Sequence, residues 1–190
     1  MNGGYRQLNA SEIKELLGEL LERAAAEGVE VDAYVIGGAA MAIHLGRTQL
    51  TPDVDGLFFP FERVKLIGRQ MAEEHGLDPD WVNENARPFI TFDTTDPRLF
   101  VEVELRGHKV RLASQRALLA MKMARYARKD YADITALILS LGITRTEQIV
   151  DLTYDVLGEE SLSLTAGRDD LVILAAEALA RVKRAMEQPH

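Results

Sequence analysis

Two aspartates, Asp53 and Asp55, are the residues of this chain whose type and spacing best fit chemistry on a charged substrate. They open an apolar run that ends at Phe59 and is typical of a β-strand. Because side chains at positions i and i+2 of a strand point to the same face, we expect the two carboxylates to lie together. Such a pair repels itself unless a proton or a cation separates the charges. Carboxylate oxygens of this kind favour a hard divalent cation, Mg²⁺ or Mn²⁺.

A glycine pair, Gly37 and Gly38, precedes the aspartates and closes a second apolar run at residues 33–36. A glycine turn lets backbone N–H groups approach a phosphate closely, because no Cβ atom stands in the way. An ordinary turn from a strand into a helix would use the same glycines, so the pair discriminates little alone. Combined with the aspartates, it predicts a site that transfers a nucleotide or a phosphoryl group.

The elements that must position these residues follow from the spacing of apolar side chains and from the breaks between them. In chain order, the pattern predicts a helix ending at Gly28, a strand at 32–36, a helix at 39–45, a strand at 53–59, a helix at 61–75, a hairpin at 99–112 and helices at 117–127, 131–141, 147–157 and 170–186. We therefore expect the α+β class, with a lobe of sheet and helices over residues 1–113 and a helical bundle over 114–190.

The composition narrows the classes of partner. The chain has 190 residues and a net charge of −8, so no overall field draws it to nucleic acid or to an anionic membrane. Any contact with nucleic acid would need a local basic patch. The absence of cysteine excludes disulfides and thiolate chemistry and is typical of a cytoplasmic protein. No apolar run reaches the length of a membrane span and the start has no signal-peptide character, so we expect no membrane association.

Two blocks of the sequence resemble the DNA polymerase β-like nucleotidyltransferases. The first is VIGGAAMAIHL at residues 35–45, followed by TPDVD at 51–55. It is similar, more narrowly, to the AbiEii/MenT-like group, whose members are toxins of bacterial toxin–antitoxin systems, and to related small nucleotidyltransferases. The second block, residues 118–134, resembles a later motif of that group, in which a helix carries a lysine and a Lys/Arg-Asp step leads to an aspartate on the next helix. One departure is Gln49, where the group often has an arginine, and the nearest arginine here is Arg47.

The resemblance implies a nucleotidyltransferase-type mixed sheet, completed by the helical lobe. It implies Asp53 and Asp55 as catalytic ligands of Mg²⁺ or Mn²⁺, and it places Gly37, Gly38 and Thr51 at the nucleotide.

Such folds usually carry a third carboxylate on a neighbouring strand, and Glu102 and Glu104 are the candidates for a metal ligand or a base. The two glutamates share one face of a predicted strand. The polar face of a half-buried strand explains them equally well, and the sequence does not choose between them.

The later block contributes Lys122, with Arg125 and Lys129 at spacings that would stack three cations on one helical face. The resemblance implies contact with a triphosphate, with Lys122 innermost and catalytic, although a solvated helix face is the usual explanation of such a run. Asp133 is an active-site carboxylate by resemblance, or else the i,i+4 partner of Lys129.

Three functions follow as alternatives. The first is a toxin that transfers a nucleoside monophosphate from a triphosphate, with a pyrimidine favoured, to RNA such as the 3′ end of tRNA, and that has a cognate antitoxin protein. The second is a nucleotidyltransferase acting on a small molecule or on a protein hydroxyl. The third is a nucleotide-binding module without turnover. The net charge weakens the first, and the basic residues around Lys122 keep it open.

Overall fold

The structure, a computed structural model, describes residues 5–46, 50–161, 163–164 and 167–187. The chain forms two compact units. The first comprises Met1–Pro88 and Phe100–Ala113, and the second comprises Phe89–Leu99 and Ser114–His190. The segment just before the hairpin therefore belongs with the C-terminal helices rather than with the sheet.

The first unit combines three helices with five strands. Its elements are α1 (Ala10–Ala26), β1 (Asp32–Val35), α2 (Gly37–Leu45), β2 (Val54–Phe59), α3 (Phe61–His75), β3 (Val82–Asn83), β4 (Phe100–Leu105) and β5 (His108–Ala113). Helix α1 begins where the Asn9 side chain accepts hydrogen bonds from the N–H groups of Ser11 and Glu12. The side chain of Glu12 accepts in return from the Asn9 N–H, which completes a capping box.

The strands form one five-stranded mixed sheet in the order β3-β2-β1-β5-β4. Strand β1 pairs antiparallel with β2 and parallel with β5. Strand β3 pairs parallel with β2, and β4 pairs antiparallel with β5 as the predicted hairpin. A mixed sheet with helices, followed by a helical unit, confirms the predicted fold class.

Burial alternates along β2 and shows which of its side chains face the core. In β2 the side chains of Val54 and Phe58 are buried, whereas those of Asp55 and Leu57 are half-buried and that of Phe59 is exposed. Helices α1 and α3 contact the sheet and each other. Because alternate residues point to opposite faces, Asp55 lies on the face opposite the buried side chains.

The second unit is helical. Its helices are α4 (Gln115–Arg125), α5 (Tyr131–Ser140), α6 (Thr146–Leu157) and α7 (Arg168–Glu187). Helix α4 begins at Ser114, whose hydroxyl accepts from the N–H of Ala117, and a 3₁₀ turn at Arg128–Asp130 leads into α5. In the described part of the chain, no helix has the length and apolar character needed to span a membrane.

Candidate functional site

Asp55 lies beside the point where the chain turns from β1 into α2. The N–H of Ile36 donates to the Asp55 carbonyl oxygen at 2.9 Å, which joins the two segments. Gly37 has a φ of +64°, and a Cβ atom added there would lie 3.6 Å from both Cβ and Oδ2 of Asp55. This left-handed conformation favours glycine. The backbone of the turn therefore runs directly alongside the Asp55 carboxylate.

Gly38 brings Thr51 against the same turn. A Cβ atom at Gly38 would come within 2.9 Å of the Thr51 hydroxyl oxygen and 3.2 Å of its Cβ atom, which is closer than such atoms pack. Thr51 is held in place by two backbone hydrogen bonds with Leu8, of 2.8 and 3.0 Å. Its hydroxyl lies 3.2 Å from Oδ1 of Asp53 and donates toward it. Glycine at position 38 thus allows Thr51 to connect the helix start to Asp53.

The carboxylate of Asp53 accepts from two sides. Thr51 donates toward Oδ1, and the amide nitrogen of Asn83 donates to Oδ2 at 3.3 Å. Asn83 lies in β3 directly opposite Asp55 in the parallel register. Asn83 was not among the predicted site residues, because the sequence Trp81-Val82-Asn83 indicated packing.

The structure therefore brings together Gly37, Gly38, Thr51, Asp53 and Asp55. The first N–H groups of a helix carry partial positive charge and bind anions, and at α2 the N-cap residue supplies no side-chain acceptor for them. Two carboxylates at the adjoining strand start are the oxygen donors that a hard cation prefers. The donor set thus fits Mg²⁺ or Mn²⁺, and the helix start suits a phosphate.

Gln49, the position at which the chain departs from the resembled motif, and the nearby Arg47 lie outside the described residues.

Glu102 and Glu104 do not join this group, which corrects the expectation of a third carboxylate on their strand. They lie on β4 at the edge of the sheet, and β1 and β5 separate β4 from β2. At about 4.8 Å per strand spacing, three spacings place β4 about 14 Å from β2. Glu102 instead forms an ion pair with Lys109 at 2.8 Å. The register thus gives the two glutamates the role of a polar strand face rather than of metal ligands.

In the second unit, the later sequence block forms a buried ion cluster around Lys122. The Lys122 ammonium lies 2.9 Å from Oδ1 of Asp130 and 2.7 Å from Oδ2 of Asp133. The guanidinium of Arg125 donates twice to Oδ2 of Asp130, at 2.9 and 2.6 Å. Lys122 is 8% exposed and Asp130 only 3%. Lys122, Asp130 and Asp133 are thus held together by charge inside one unit.

Asp130 is the centre of this cluster. Its burial raises the pKa of the carboxyl, but the hydrogen bonds and positive charges of Lys122 and Arg125 outweigh burial and hold the pKa below its usual value. No role was predicted for Asp130, although Lys129-Asp130 is the Lys/Arg-Asp step of the later motif. That step was the available signal.

The predicted stack of three cations on one helix is wrong. Helix α4 ends at Arg125, because Tyr126 takes a left-handed conformation with a φ of 42°. Lys129 lies beyond this point, exposed in the 3₁₀ turn. Asp133 pairs with Lys122 on a different helix. The i,i+4 relation to Lys129 therefore does not describe its main contact.

A separate group of possible ligands, Glu19, Glu74 and His75, has donor atoms that all lie within 4.8 Å of one another. Arg23 donates to Glu74 at 2.9 Å and also bonds to Glu19. Its single positive charge lies between the two carboxylates, and the His75 ring also contacts Glu19, so the contacts in the structure are those of a polar network between α1 and α3.

The fold is similar to that of a solved structure, an antigenic nucleotidyltransferase-like protein from Paracoccidioides brasiliensis. The likeness covers 94% of this chain and 95% of that chain, with a TM-score of 0.54 and 16% sequence identity. The protein therefore has a nucleotidyltransferase-like fold.

In sequence, 130 residues, 64% of this chain, are 27% identical to the lipid-A-disaccharide synthase of Pasteurella multocida strain Pm70. The match spans 32% of that protein, about a third of its length. No protein-family model matches the chain.

Proposed function

We propose that this protein is a nucleotidyltransferase that depends on Mg²⁺ or Mn²⁺. The observation that carries the proposal is that Asp55 lies against the glycine turn at the start of α2 and that Thr51 links Asp53 to the same turn, in a nucleotidyltransferase-like fold. In such a reaction, an acceptor hydroxyl oxygen forms a bond to the α-phosphorus of a nucleoside triphosphate. The bond from that phosphorus to pyrophosphate breaks, and the hydroxyl proton passes to a carboxylate or to water.

In the first unit, the carboxylates and the backbone N–H groups have different proposed roles because their charges are opposite. Asp53 and Asp55 would hold the cation, whose chemistry is to offset negative charge on the phosphates and on the leaving pyrophosphate. The N–H groups of Gly37 and Gly38 bind phosphate oxygens, because they lie at the positive end of the helix dipole. Thr51 keeps Asp53 oriented through its hydroxyl.

From the second unit we propose Lys122 as a contact of the triphosphate, Arg125 and Lys129 as outer contacts and Asp133 as an active-site carboxylate. The proposal is supported by the resemblance of residues 118–134 to the later motif. It is also supported by burial, since a lysine and two carboxylates taken out of water are costly and are common at functional sites.

The finer function we propose is that of an AbiEii/MenT-like toxin. The donor would be a pyrimidine triphosphate, the acceptor RNA such as the 3′ end of tRNA, and the counterpart a cognate antitoxin protein in the same cytoplasm. Support comes from both sequence blocks and their order along the chain. The competing acceptors are a small molecule and a protein hydroxyl, and the competing function is nucleotide binding without turnover.

Label transfer tests these alternatives. Purified protein is incubated with each α-labelled triphosphate and Mg²⁺ or Mn²⁺, with total RNA, with tRNA or without RNA. We expect label on tRNA from cytidine or uridine triphosphate, and at least a hundredfold loss in Asp53→Asn and in Asp55→Asn, in line with the loss of a charge-stabilising group. The matched control is Glu102→Gln, which removes a carboxylate from β4 and should leave transfer unchanged.

Other outcomes assign the other functions. Label on protein alone would move the acceptor to a protein hydroxyl, and label on neither would leave a binding module if the cation still raises nucleotide affinity. Transfer that survives both aspartate variants would overturn the proposed site.

A further inference from the structure

Asn83 lies on β3, a two-residue strand that is held by contacts on two sides. The preceding Trp81 is fully buried, and its indole N–H donates to the Gly68 carbonyl oxygen at 2.8 Å. The Trp81 carbonyl oxygen accepts from the N–H of Val54 at 2.6 Å. Val82 packs so closely on α3 that a Cβ atom at Gly68 would lie 2.5 Å from it. Together, these contacts pin β3 to both β2 and α3.

The contacts of the Asn83 amide determine which way it faces. Its oxygen accepts from the N–H of Asn85 at 2.9 Å. Its nitrogen lies 3.3 Å from Oδ2 of Asp53 and 3.3 Å from the carbonyl oxygen of Asp80, both of which are acceptors. An amide turned the other way would place its oxygen against two acceptors and its nitrogen against a donor. The nitrogen must therefore face Asp53.

An amide, rather than a carboxylate, suits this position electrostatically. Asn83 is 6% exposed and lies opposite Asp55 on the neighbouring strand. A carboxylate there would add a third negative charge beside Asp53, and an apolar side chain would supply no donor. Among the described residues, Thr51 donates to one oxygen of Asp53 and Asn83 to the other, and each oxygen then has a second lone pair for a cation.

We propose that Asn83 is a positioning residue, whose amide holds the Asp53 carboxylate in the orientation that binds a divalent cation. The inference rests on the proposed metal-dependent transfer and adds a residue to it. Hydrogen-bond partners of ligating groups orient those groups, and their loss typically weakens metal binding about 10–100-fold. Asn83 acts through Asp53, so its effect depends on the Asp53 carboxylate.

The test is Mn²⁺ binding to the full-length protein without nucleotide, measured from the free Mn²⁺ signal in electron paramagnetic resonance. Asn83→Ala should weaken binding at least tenfold. The matched control is Asn85→Ala, because the exposed Asn85 contributes only its backbone N–H to this network. Asn83→Ser is a second variant, which keeps a polar group but is too short to reach Asp53, and it should weaken binding similarly.

A double-mutant cycle separates positioning from a general loss of structure. In the Asp53→Asn background, Asn83→Ala should change the remaining Mn²⁺ affinity less than about twofold, because coupled residues are not additive. Equal losses in both backgrounds, or no loss in Asn83→Ala and Asn83→Ser, would overturn the proposed role of Asn83 but not the proposed function. Wild-type protein that binds no Mn²⁺ would overturn the proposed function and this inference together. Circular dichroism checks that each variant is folded.

Discussion

At the scale of single residues, the candidate site depends on how closely backbone can approach a carboxylate. The space beside Asp55 exists because Gly37 has no Cβ atom, and the contact between Thr51 and α2 exists because Gly38 has none. What each glycine contributes is the space left by the absent Cβ atom. The sequence predicts that they let the backbone approach a phosphate, and in the structure Gly37 also lies against Asp55 and Gly38 against Thr51.

Replacement of Gly37 by alanine should therefore affect binding as well as stability. We expect a loss of about 1 kcal/mol in the free energy of unfolding, because an L-residue is strained at a φ of +64°. We also expect at least tenfold weaker binding of a triphosphate with Mg²⁺, since the added methyl group occupies the space at the Asp55 carboxylate. Urea unfolding measures the loss of stability, and calorimetry measures the binding of the triphosphate.

Gly76→Ala is the matched control for this change. Gly76 has a nearly equal φ of +67°, and nothing lies within 4 Å of an added Cβ atom. It should lose similar stability and retain nucleotide binding. Equal binding losses in both variants would show that strain alone, and not the space beside Asp55, explains the effect.

At the scale of elements, the second unit depends on a sharp turn between α4 and α5. The helix stops at Tyr126, whose left-handed conformation costs strain. Contacts of the ring offset part of that cost. The rings of Tyr126 and Tyr131 are 5.2 Å apart, and the guanidinium of Arg181 lies 3.7 Å from the centre of the Tyr131 ring. The turn then delivers Asp130 to Lys122.

The buried Asp130 in this turn predicts that the free energy of unfolding depends on pH. The pKa of Asp130 is lowered in the folded state, so its contribution is present above the unfolded carboxyl pKa of about 4 and is lost as pH falls through the folded pKa. Asp130→Asn should cost about 3 kcal/mol at pH 7, because the buried Lys122 loses one of its two carboxylate partners and Arg125 loses the carboxylate it bonds to. The difference from wild type should shrink toward pH 3. Urea unfolding at both pH values measures it.

Asp155→Asn is the control for a surface pair. Asp155 is 45% exposed and bonds to Arg116 at 2.9 Å, so its loss should cost less than about 1 kcal/mol at any pH. A difference between wild type and Asp130→Asn that does not change with pH would contradict the assignment of the ionised carboxyl to the cluster.

At the scale of the whole molecule, the net charge of −8 makes RNA a demanding acceptor. The structure also changes which basic side chains are candidates for binding RNA. Arg125 is committed to Asp130, whereas Arg128 and Lys129 are exposed in the 3₁₀ turn. Contact with an RNA backbone would therefore depend on the turn more than on the face of α4.

If RNA is the acceptor, Arg128→Glu with Lys129→Glu should weaken RNA binding and reduce its dependence on salt concentration, because fewer counterions are released. Nucleotide binding without RNA should change little. The control with the same size of charge change is Lys14→Glu with Lys183→Glu, two exposed lysines outside this turn. Equal effects of the two double variants would indicate a response to overall charge and would remove the turn as the RNA contact.

The local part of this protein could be read from its sequence, because it depends on neighbours along the chain. Alternation predicted that Asp53 and Asp55 share a face, and the two glycines marked the turn that lies beside them. The order of strands could not be read in the same way. The sequence made Glu102 a candidate neighbour of the aspartates. Strand β5 pairs with β1 and leaves β4, with Glu102, at the edge of the sheet.

The remaining differences also come from contacts between distant segments. Asn83 reaches Asp53 because Trp81 anchors β3 to α3. Asp130 reaches Lys122 because α4 stops before Tyr126, whose ring contacts Tyr131. Sequence periodicity determined which residues share a face, since it is a property of the local backbone. Only the tertiary structure decided which faces and ends meet, since that choice is made by packing and hydrogen bonding between segments far apart in the chain.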